Sequence, residues 1–209
     1  MTYPMDWADF AGLMPILSAP WRLRRFEQIT WSGGAVPDVS EMADPRWSCR
    51  VTLDVMDLDA AIEMQALIEM HGSAHPFLLH DPARLAPRLD PGGIVYGSST
   101  PILLSVAPGG VAVSGLPAGY VLSRGDRLDI DHGSTRAIYS VAAPTTADGA
   151  GITPLIPLMP PPRTLAAIGQ AANLVRPVGS MVILPDSYDP GQHSGGVVRG
   201  IQFDAVEAW

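Results

Sequence analysis

The stretch Trp47-Ser-Cys-Arg-Val-Thr-Leu-Asp-Val-Met56 decides the fold class of this chain. Apolar and polar residues alternate along it, and the apolar set is Trp47, Cys49, Val51, Leu53 and Val55. Successive side chains of a strand point to opposite faces of the sheet, so the alternation predicts a strand with one buried face. A strand buried on one face is typical of an antiparallel sheet.

A helix is predicted directly after this strand, over residues 58–71. Asp57 can cap the free amides at its start, and Gly72 can end it. Apolar residues recur between them at spacings of three and four, namely Leu58, Ala61, Met64, Leu67 and Ile68. Residues with this spacing share one helix face, so they predict a helix that packs against the sheet.

Further strands are predicted on both sides of this unit, in residues 21–31, 76–82, 179–184 and 197–206. The turn signal Ser32-Gly33-Gly34 ends the first of them. In the last of them, the odd-numbered residues from Val197 to Ala205 are expected to share one face. The loop at 185–196, between the two C-terminal strands, is long and polar. We expect the C-terminal strands to complete the N-terminal sheet, which gives an α+β unit.

Residues 92–162 differ in residue pattern from the flanking segments, because their short apolar runs are separated by Gly, Pro, Ser and Asp. The runs are 102–106, 111–113, 120–122, 128–130, 137–142 and 152–158. Short strands at intervals of about ten residues with turn signals between them favour a small β-barrel or sandwich. Pro160-Pro161-Pro162 cannot donate to a strand ladder and is expected to close this module.

The predicted fold class is therefore mainly β, of the α+β type, with an inserted β module. Residues 1–20 are apolar, are interrupted by three prolines, and are interpreted as an N-terminal arm. Residues 21–91 and 172–209 form the β-rich domain that carries the helix. Residues 92–162 form the inserted barrel or sandwich, and residues 163–171 are a linker.

Composition indicates a protein with large interfaces. Hydrophobic residues make up 47% of the chain and charged residues only 16%, whereas globular domains carry about a quarter charged residues. Large apolar interfaces are what obligate assemblies use. The net charge of −8 argues against nucleic-acid binding, which needs clustered Lys and Arg. The one basic cluster evident from the sequence, Arg22, Arg24 and Arg25, is too small for a DNA track.

The sequence predicts a soluble product that is made in a reducing compartment. Asp6 and Asp9 stand where a secretory signal would need positive charge, and no apolar run reaches the ~18 residues that span a bilayer. Cys49 is the one cysteine, so no disulfide can form within the chain. Its place in the 47–56 strand predicts a small buried apolar side chain, not a nucleophile.

The candidate metal ligands are His71, His75, His80 and Asp81. Zinc sites need three or four ligands with tight spacing, and Gly72 stops His71 and His75 from sharing a helix face. The favoured interpretation is a histidine at the negative end of the helix together with two histidines in turns. We therefore predict no metal site.

The stretch 126–133 crowds three carboxylates, Asp126, Asp129 and Asp131, before His132 and Gly133. It lacks the ligand spacing and final glutamate of an EF-hand loop. Asp129 and Asp131 are expected to lie on one solvated strand face, with weak calcium binding as the alternative. Gly133 is expected to open a hairpin turn.

Three further patterns carry little weight. Arg124-Gly125-Asp126 matches a cell-adhesion tripeptide, which occurs often by chance. Gly195 and Gly196 form no phosphate loop, because no Gly-Lys-Ser/Thr follows. No serine has an elbow motif around it. We can assemble no nucleophile, base and orienting group, so we predict a protein that is not an enzyme, with no catalytic residue and no cofactor.

Three stretches together resemble tail-tip structural proteins of siphophages and prophages. The first stretch is residues 47–82, which include the predicted helix. The second begins Val113-Ser-Gly-Leu-Pro-Ala-Gly-Tyr-Val-Leu-Ser-Arg-Gly-Asp126 and continues to Val141. The third is Arg176–Leu184 together with the closing strand that ends at Val206. They cover most of residues 21–206. The middle stretch is the most distinctive, while the others are patterns more than motifs. The organisation is similar to that of distal tail proteins.

This resemblance implies a structural role in a virion, at the tail tip or baseplate, for a chain that is synthesised in the cytoplasm of the bacterial host. Such proteins form a homo-oligomeric ring, usually a hexamer, that joins the tail tube to the baseplate hub, with a β module projecting outward. A trimer is also open. The implied partners are copies of the chain itself, the tail tube protein, the hub and other tail-tip proteins, and no direct nucleic-acid or membrane contact is implied. The family supplies no catalytic residues to carry over.

Two alternatives come from other functional classes. One is a carbohydrate-binding β module for host attachment, although the 92–162 segment holds only Tyr96, Tyr120 and Tyr139 as aromatic residues. The other is a hydrolase of cell wall or polysaccharide, which would need paired carboxylates.

The 1–20 arm is expected to pair with a neighbouring copy, so that its deletion leaves a chain that folds but does not assemble. Alternatively, the arm covers the chain's own core.

Overall fold

The computed structural model describes residues 3–31, 33–34, 36–163 and 165–208. Residues 1 and 2 of the predicted arm, Ser32 of the predicted turn, residue 164 of the predicted linker and Trp209 lie outside the described residues. The fold is mainly β, as predicted. Within the described ranges, no helix is long and apolar enough to cross a membrane.

The helices are α1 (Leu58–His71) and two short 3-10 helices, Trp7–Asp9 and Ala11–Leu13. The strands are β1 (Ile16–Ser18), β2 (Trp21–Trp31), β3 (Pro37–Leu53), β4 (Met56–Asp57), β5 (Phe77–His80), β6 (Ile102–Ala107), β7 (Gly110–Ser114), β8 (Val121–Leu122), β9 (Arg127–Asp131), β10 (Arg136–Val141), β11 (Thr145–Thr146), β12 (Ile156–Met159), β13 (Ala172–Asn173), β14 (Val178–Ile183), β15 (Gln192–Ser194), β16 (Val197–Arg199) and β17 (Gln202–Glu207).

The first sheet joins both ends of the chain. Its order is β1-β3-β17-β14-β5, with β2 also paired to β3, and every pair is antiparallel. The C-terminal strands thus lie in the middle of the N-terminal sheet. One face of this sheet packs on a core built from Val51, Phe77, Phe203 and neighbouring apolar residues, against which α1 places Ala61 and Ile68. Burial of these apolar side chains is the main force that holds the unit together.

The predicted helix is confirmed at both ends. The Asp57 carboxylate accepts a hydrogen bond of 2.8 Å from the Ala60 amide, and Gly72 follows the helix with φ of 65°. A residue other than glycine would be strained at that angle. Of the predicted apolar stripe, Leu58 is an exception, because it is 38% exposed.

The second sheet comes from the inserted segment, in the order β13-β9-β10-β12-β7-β6. Its two ends meet, because the Leu103 amide donates to Gln170 O and the Ala172 amide donates to Pro101 O. The sheet therefore curls around its own core, as in a small barrel. A short β8–β11 pair lies beside it. Since β13 belongs to this sheet, residues 169–173 bond to the module and do not form a free linker.

Three local predictions were wrong. The strand predicted over 197–206 is two strands, because Gly200 adopts φ of 78° and directs β16 into a separate sheet with β4 and β15. The loop at 185–196 contains β15. The central strand β3 begins at Pro37, ten residues before the predicted start at Trp47, and ends at Leu53, which leaves Val55 49% exposed.

The described part of the N-terminal arm covers the chain's own core. Phe10 is fully buried and stacks on His71 at 4.0 Å between ring centroids, and Ala11 and Met14 are also buried. Met5 pairs with Phe77 at the edge of β5. This is the alternative that the sequence left open, and we therefore expect deletion of the arm to destabilise the fold.

Candidate functional site

The most exposed part of the first sheet is the far end of the β2–β3 pair. Every residue of 27–31 and 37–44 is exposed, although these residues form a continuous ladder from Glu27–Glu41 to Trp31–Pro37. We call these two segments the outer hairpin. Neither of its faces packs on a core. A two-stranded ribbon without such packing is marginally stable in water, so the outer hairpin is suited to being covered by another surface.

Beyond the Glu27–Glu41 pair, the register gives the outer hairpin one apolar face and one polar face. Directly opposed residues of an antiparallel pair share a face. Ile29 is opposite Val39 and Trp31 is opposite Pro37, whereas the alternate positions carry the polar pairs Gln28–Ser40 and Thr30–Asp38. Ile29, Val39 and Trp31 are 57%, 52% and 67% exposed. Contiguous apolar faces of this kind are typical of interaction surfaces.

The inner end of the same strands attaches the β module to the first sheet. Trp47 of β3 donates its indole N–H to Ile138 O of β10 at 2.9 Å. The Arg127 guanidinium of β9 lies over the rings of Trp21 and Trp47, at 5.0 and 4.3 Å from their centroids. Arg127 also pairs with Asp81 at 3.0 Å. Burial lowers the pKa of Arg127 to about 10, and the Asp81 charge opposes that shift.

A buried carboxylate, Glu207, completes this junction. It accepts hydrogen bonds from the amides of Ile138 at 3.1 Å and Trp47 at 3.3 Å, and from the Arg163 guanidinium at 2.6 Å. Both side chains of the Arg163–Glu207 pair are almost completely buried. Burial raises the pKa of Glu207, while Arg163 opposes the rise. One carboxylate thus joins β3, β10, β17 and the segment after the module, which fixes the module relative to the first sheet.

The predicted solvated face of Asp129 and Asp131 was wrong for Asp129. Asp129 is 1% exposed and accepts hydrogen bonds from Val178 N at 2.9 Å and Asn173 Nδ2 at 3.3 Å. Asp126 is also buried and accepts from the amides of Ser123 and Arg88. These carboxylates are used as structural acceptors. Asp131 lies nearer the surface and accepts from Gly133 N, in the expected turn.

The three histidines of the metal candidate lie along one edge but are occupied by packing. His71 Nε2 lies 2.9 Å from His75 O, and burial lowers the pKa of His71. Tyr3 stacks on His75, and Trp7 contacts His80, which belongs to strand β5 and not to a turn. Among the described residues, no group of three His, Cys, Asp or Glu side chains is arranged to hold a metal ion.

Cys49 lies in the core of the first sheet. Its side chain is buried, and burial raises the pKa of the thiol to about 12, with a further rise from the Asp81 charge. The reactive form of cysteine is the thiolate. The thiol is therefore a packing group, as the sequence pattern predicted.

A basic cluster that was not evident from the sequence surrounds a cavity of about 550 Å³. Arg84 and Arg88 line it from the segment after β5, and Arg124 lines it from the turn before β9. Arg84 and Arg88 are four residues apart, but no local signal connects them with Arg124. The predicted cluster of Arg22, Arg24 and Arg25 instead follows the exposed side of β2.

No protein-family model matches the chain, and no curated protein matches its sequence.

Proposed function

We propose that this chain is a structural component of the tail tip of a long-tailed bacteriophage. In this proposal, identical copies form an oligomeric ring in the virion that joins the tail tube to the baseplate hub. The resemblance to distal tail proteins over most of residues 21–206 supports the proposal. The mainly β fold with one helix and a curled β module is compatible with it.

The observation that carries the proposal is the outer hairpin. It extends the ladder of the central strand β3 beyond the core, and it exposes the apolar set Ile29, Trp31, Pro37 and Val39 on one face. A ring of identical subunits needs a contact between two different surfaces of each copy. An amphipathic ribbon that projects from the sheet supplies one such surface, because its apolar face gains burial only against another subunit.

The experiment is a comparison of solution mass, by light scattering after a sizing column. We expect the wild-type chain to give a discrete hexamer or trimer and the variant Trp31→Ser/Val39→Ser to give monomer. Ile168→Ser is the matched control, because Ile168 is 71% exposed but lies outside the hairpin. The circular dichroism spectrum should be unchanged in both variants, since surface substitutions leave the fold intact. The thermal midpoint should fall only in the hairpin variant, because it loses the stabilisation that assembly gives.

A wild-type chain that remains monomeric at every concentration would overturn the proposal. An oligomer that the hairpin variant leaves intact would remove the hairpin from the contact, and with it the observation that carries the proposal.

A further inference from the structure

The cavity at Arg84, Arg88 and Arg124 concentrates positive charge on a chain whose net charge is −8. Asp126 is the one carboxylate in its lining, and its oxygens already accept hydrogen bonds from backbone amides. Among the described residues, Arg84 forms an ion pair with Asp81 across 3.9 Å, whereas Arg88 and Arg124 form none. The cavity therefore keeps an excess of positive charge.

Backbone carbonyls hold the three guanidinium groups in place without neutralising them. Arg88 donates to Arg124 O at 2.9 Å, and Arg124 donates to Ala142 O at 2.9 Å. Arg84 donates to Gly125 O at 3.3 Å. Each guanidinium has five N–H donors, so each retains donors for another acceptor. Positioned arginines of this kind are suited to carboxylates, which they bind through paired hydrogen bonds.

The outward side of α1 has the complementary chemistry. Its exposed residues recur at helical spacing and include Asp59, Ile62, Glu63, Glu69 and Met70. We call these five residues the acidic face. Within the described residues, none of its three carboxylates takes part in an ion pair. Its two apolar members are strongly exposed, Ile62 at 53% and Met70 at 83%.

We infer that the arginine cavity of one copy receives the acidic face of α1 from the next copy in the ring. This inference rests on the proposed ring, and it names the second pair of surfaces in the subunit contact. Three arginines meet three carboxylates, while Ile62 and Met70 can cover the apolar lining at Pro82 and Leu85. The contact joins two different surfaces of each copy, as a closed head-to-tail ring requires.

The test is a charge exchange between the two surfaces. The cavity variant is Arg84→Glu/Arg88→Glu, and the helix variant is Glu63→Arg/Glu69→Arg. We expect the cavity variant and the helix variant, each tested by itself, to have the mass of a monomer, because like charges then face each other. The chain that carries all four changes should regain the oligomer mass. Arg199→Glu, an exposed arginine outside the cavity, is the control and should assemble normally.

The outcomes separate this inference from the ring proposal. If the cavity and helix variants assemble like the wild type, while Trp31→Ser/Val39→Ser does not, the inference is overturned and the ring remains. If both single-surface variants are monomeric and the fourfold variant is also monomeric, although folded by circular dichroism, the pairing is overturned. A wild-type monomer overturns both proposals. The inference is supported if both single-surface variants are monomeric and the fourfold variant recovers the oligomer mass.

Discussion

The Arg163 guanidinium donates a 2.6 Å hydrogen bond to the Glu207 carboxylate, and both groups are buried between the first sheet and the β module. The carboxylate also accepts from two backbone amides, one in each unit, so a single side chain sets how the two units meet. In a tail-tip ring this would keep the module at a constant angle, since rotation of the module would leave buried polar groups without partners.

We expect Glu207→Ala to destabilise the fold by about 3–5 kcal/mol, because it removes the buried carboxylate that accepts from the Arg163 guanidinium and from two backbone amides. Urea unfolding measures this loss. Arg163→Met should also be costly, and the double variant should cost less than the sum of the two, as expected for coupled residues. The exposed pair Arg50–Asp204 is the control: Arg50→Ala should have a much smaller effect, because solvent screens that pair. Strictly additive costs of the two buried substitutions would contradict the coupling.

The N-terminal arm gives the second prediction. Phe10→Ala should destabilise the fold by about 3–5 kcal/mol, because the ring is fully buried between His71 and Phe77. Leu13→Ala is the control within the same arm, since Leu13 is 54% exposed, and it should change the unfolding free energy by less than about 0.5 kcal/mol. Equal effects of the two variants in thermal or urea unfolding would indicate that the arm does not pack on its own core.

Local signals were sufficient for part of this fold. α1 was predicted at both ends, because its cap Asp57, its stop Gly72 and its apolar spacing lie within one continuous segment. The first strand of the outer hairpin lies within the strand predicted over residues 21–31. Its second strand was missed, because residues 37–44 carry no clean apolar alternation. Such a pattern reports burial against the chain's own core, and these residues have none.

The burial of Asp129 and the arginine cavity could not be predicted for a different reason. The groups that bond to Asp129 are Asn173 and Val178, which lie 44 and 49 residues further along the chain. Arg124 reaches the cavity from the inserted module, about 40 residues after Arg84. Only the tertiary fold brings such groups together, so spacing within the sequence contains no information about them.

Asp129 gives the last prediction, a pH dependence of stability. Burial raises the pKa of this carboxyl to about 6, above the ordinary value of about 4 that it regains on unfolding, while Arg136 at 3.5 Å and two hydrogen bonds oppose the rise. The folded state therefore binds this proton more tightly than the unfolded state. The protonated Asp129 carboxyl therefore contributes about 3 kcal/mol to the free energy of unfolding below about pH 4. This contribution is lost as the pH rises to about 6.

Asp129→Asn isolates this contribution, since an amide cannot titrate. Between pH 4 and pH 7, the unfolding free energy of the wild type should fall relative to that of Asp129→Asn by about 3 kcal/mol, measured by urea unfolding at each pH. Asp38→Asn is the control for the substitution itself, because Asp38 is an exposed carboxylate on another strand. Parallel pH profiles for the wild type and Asp129→Asn would show that Asp129 ionises in the folded state as readily as it does in water.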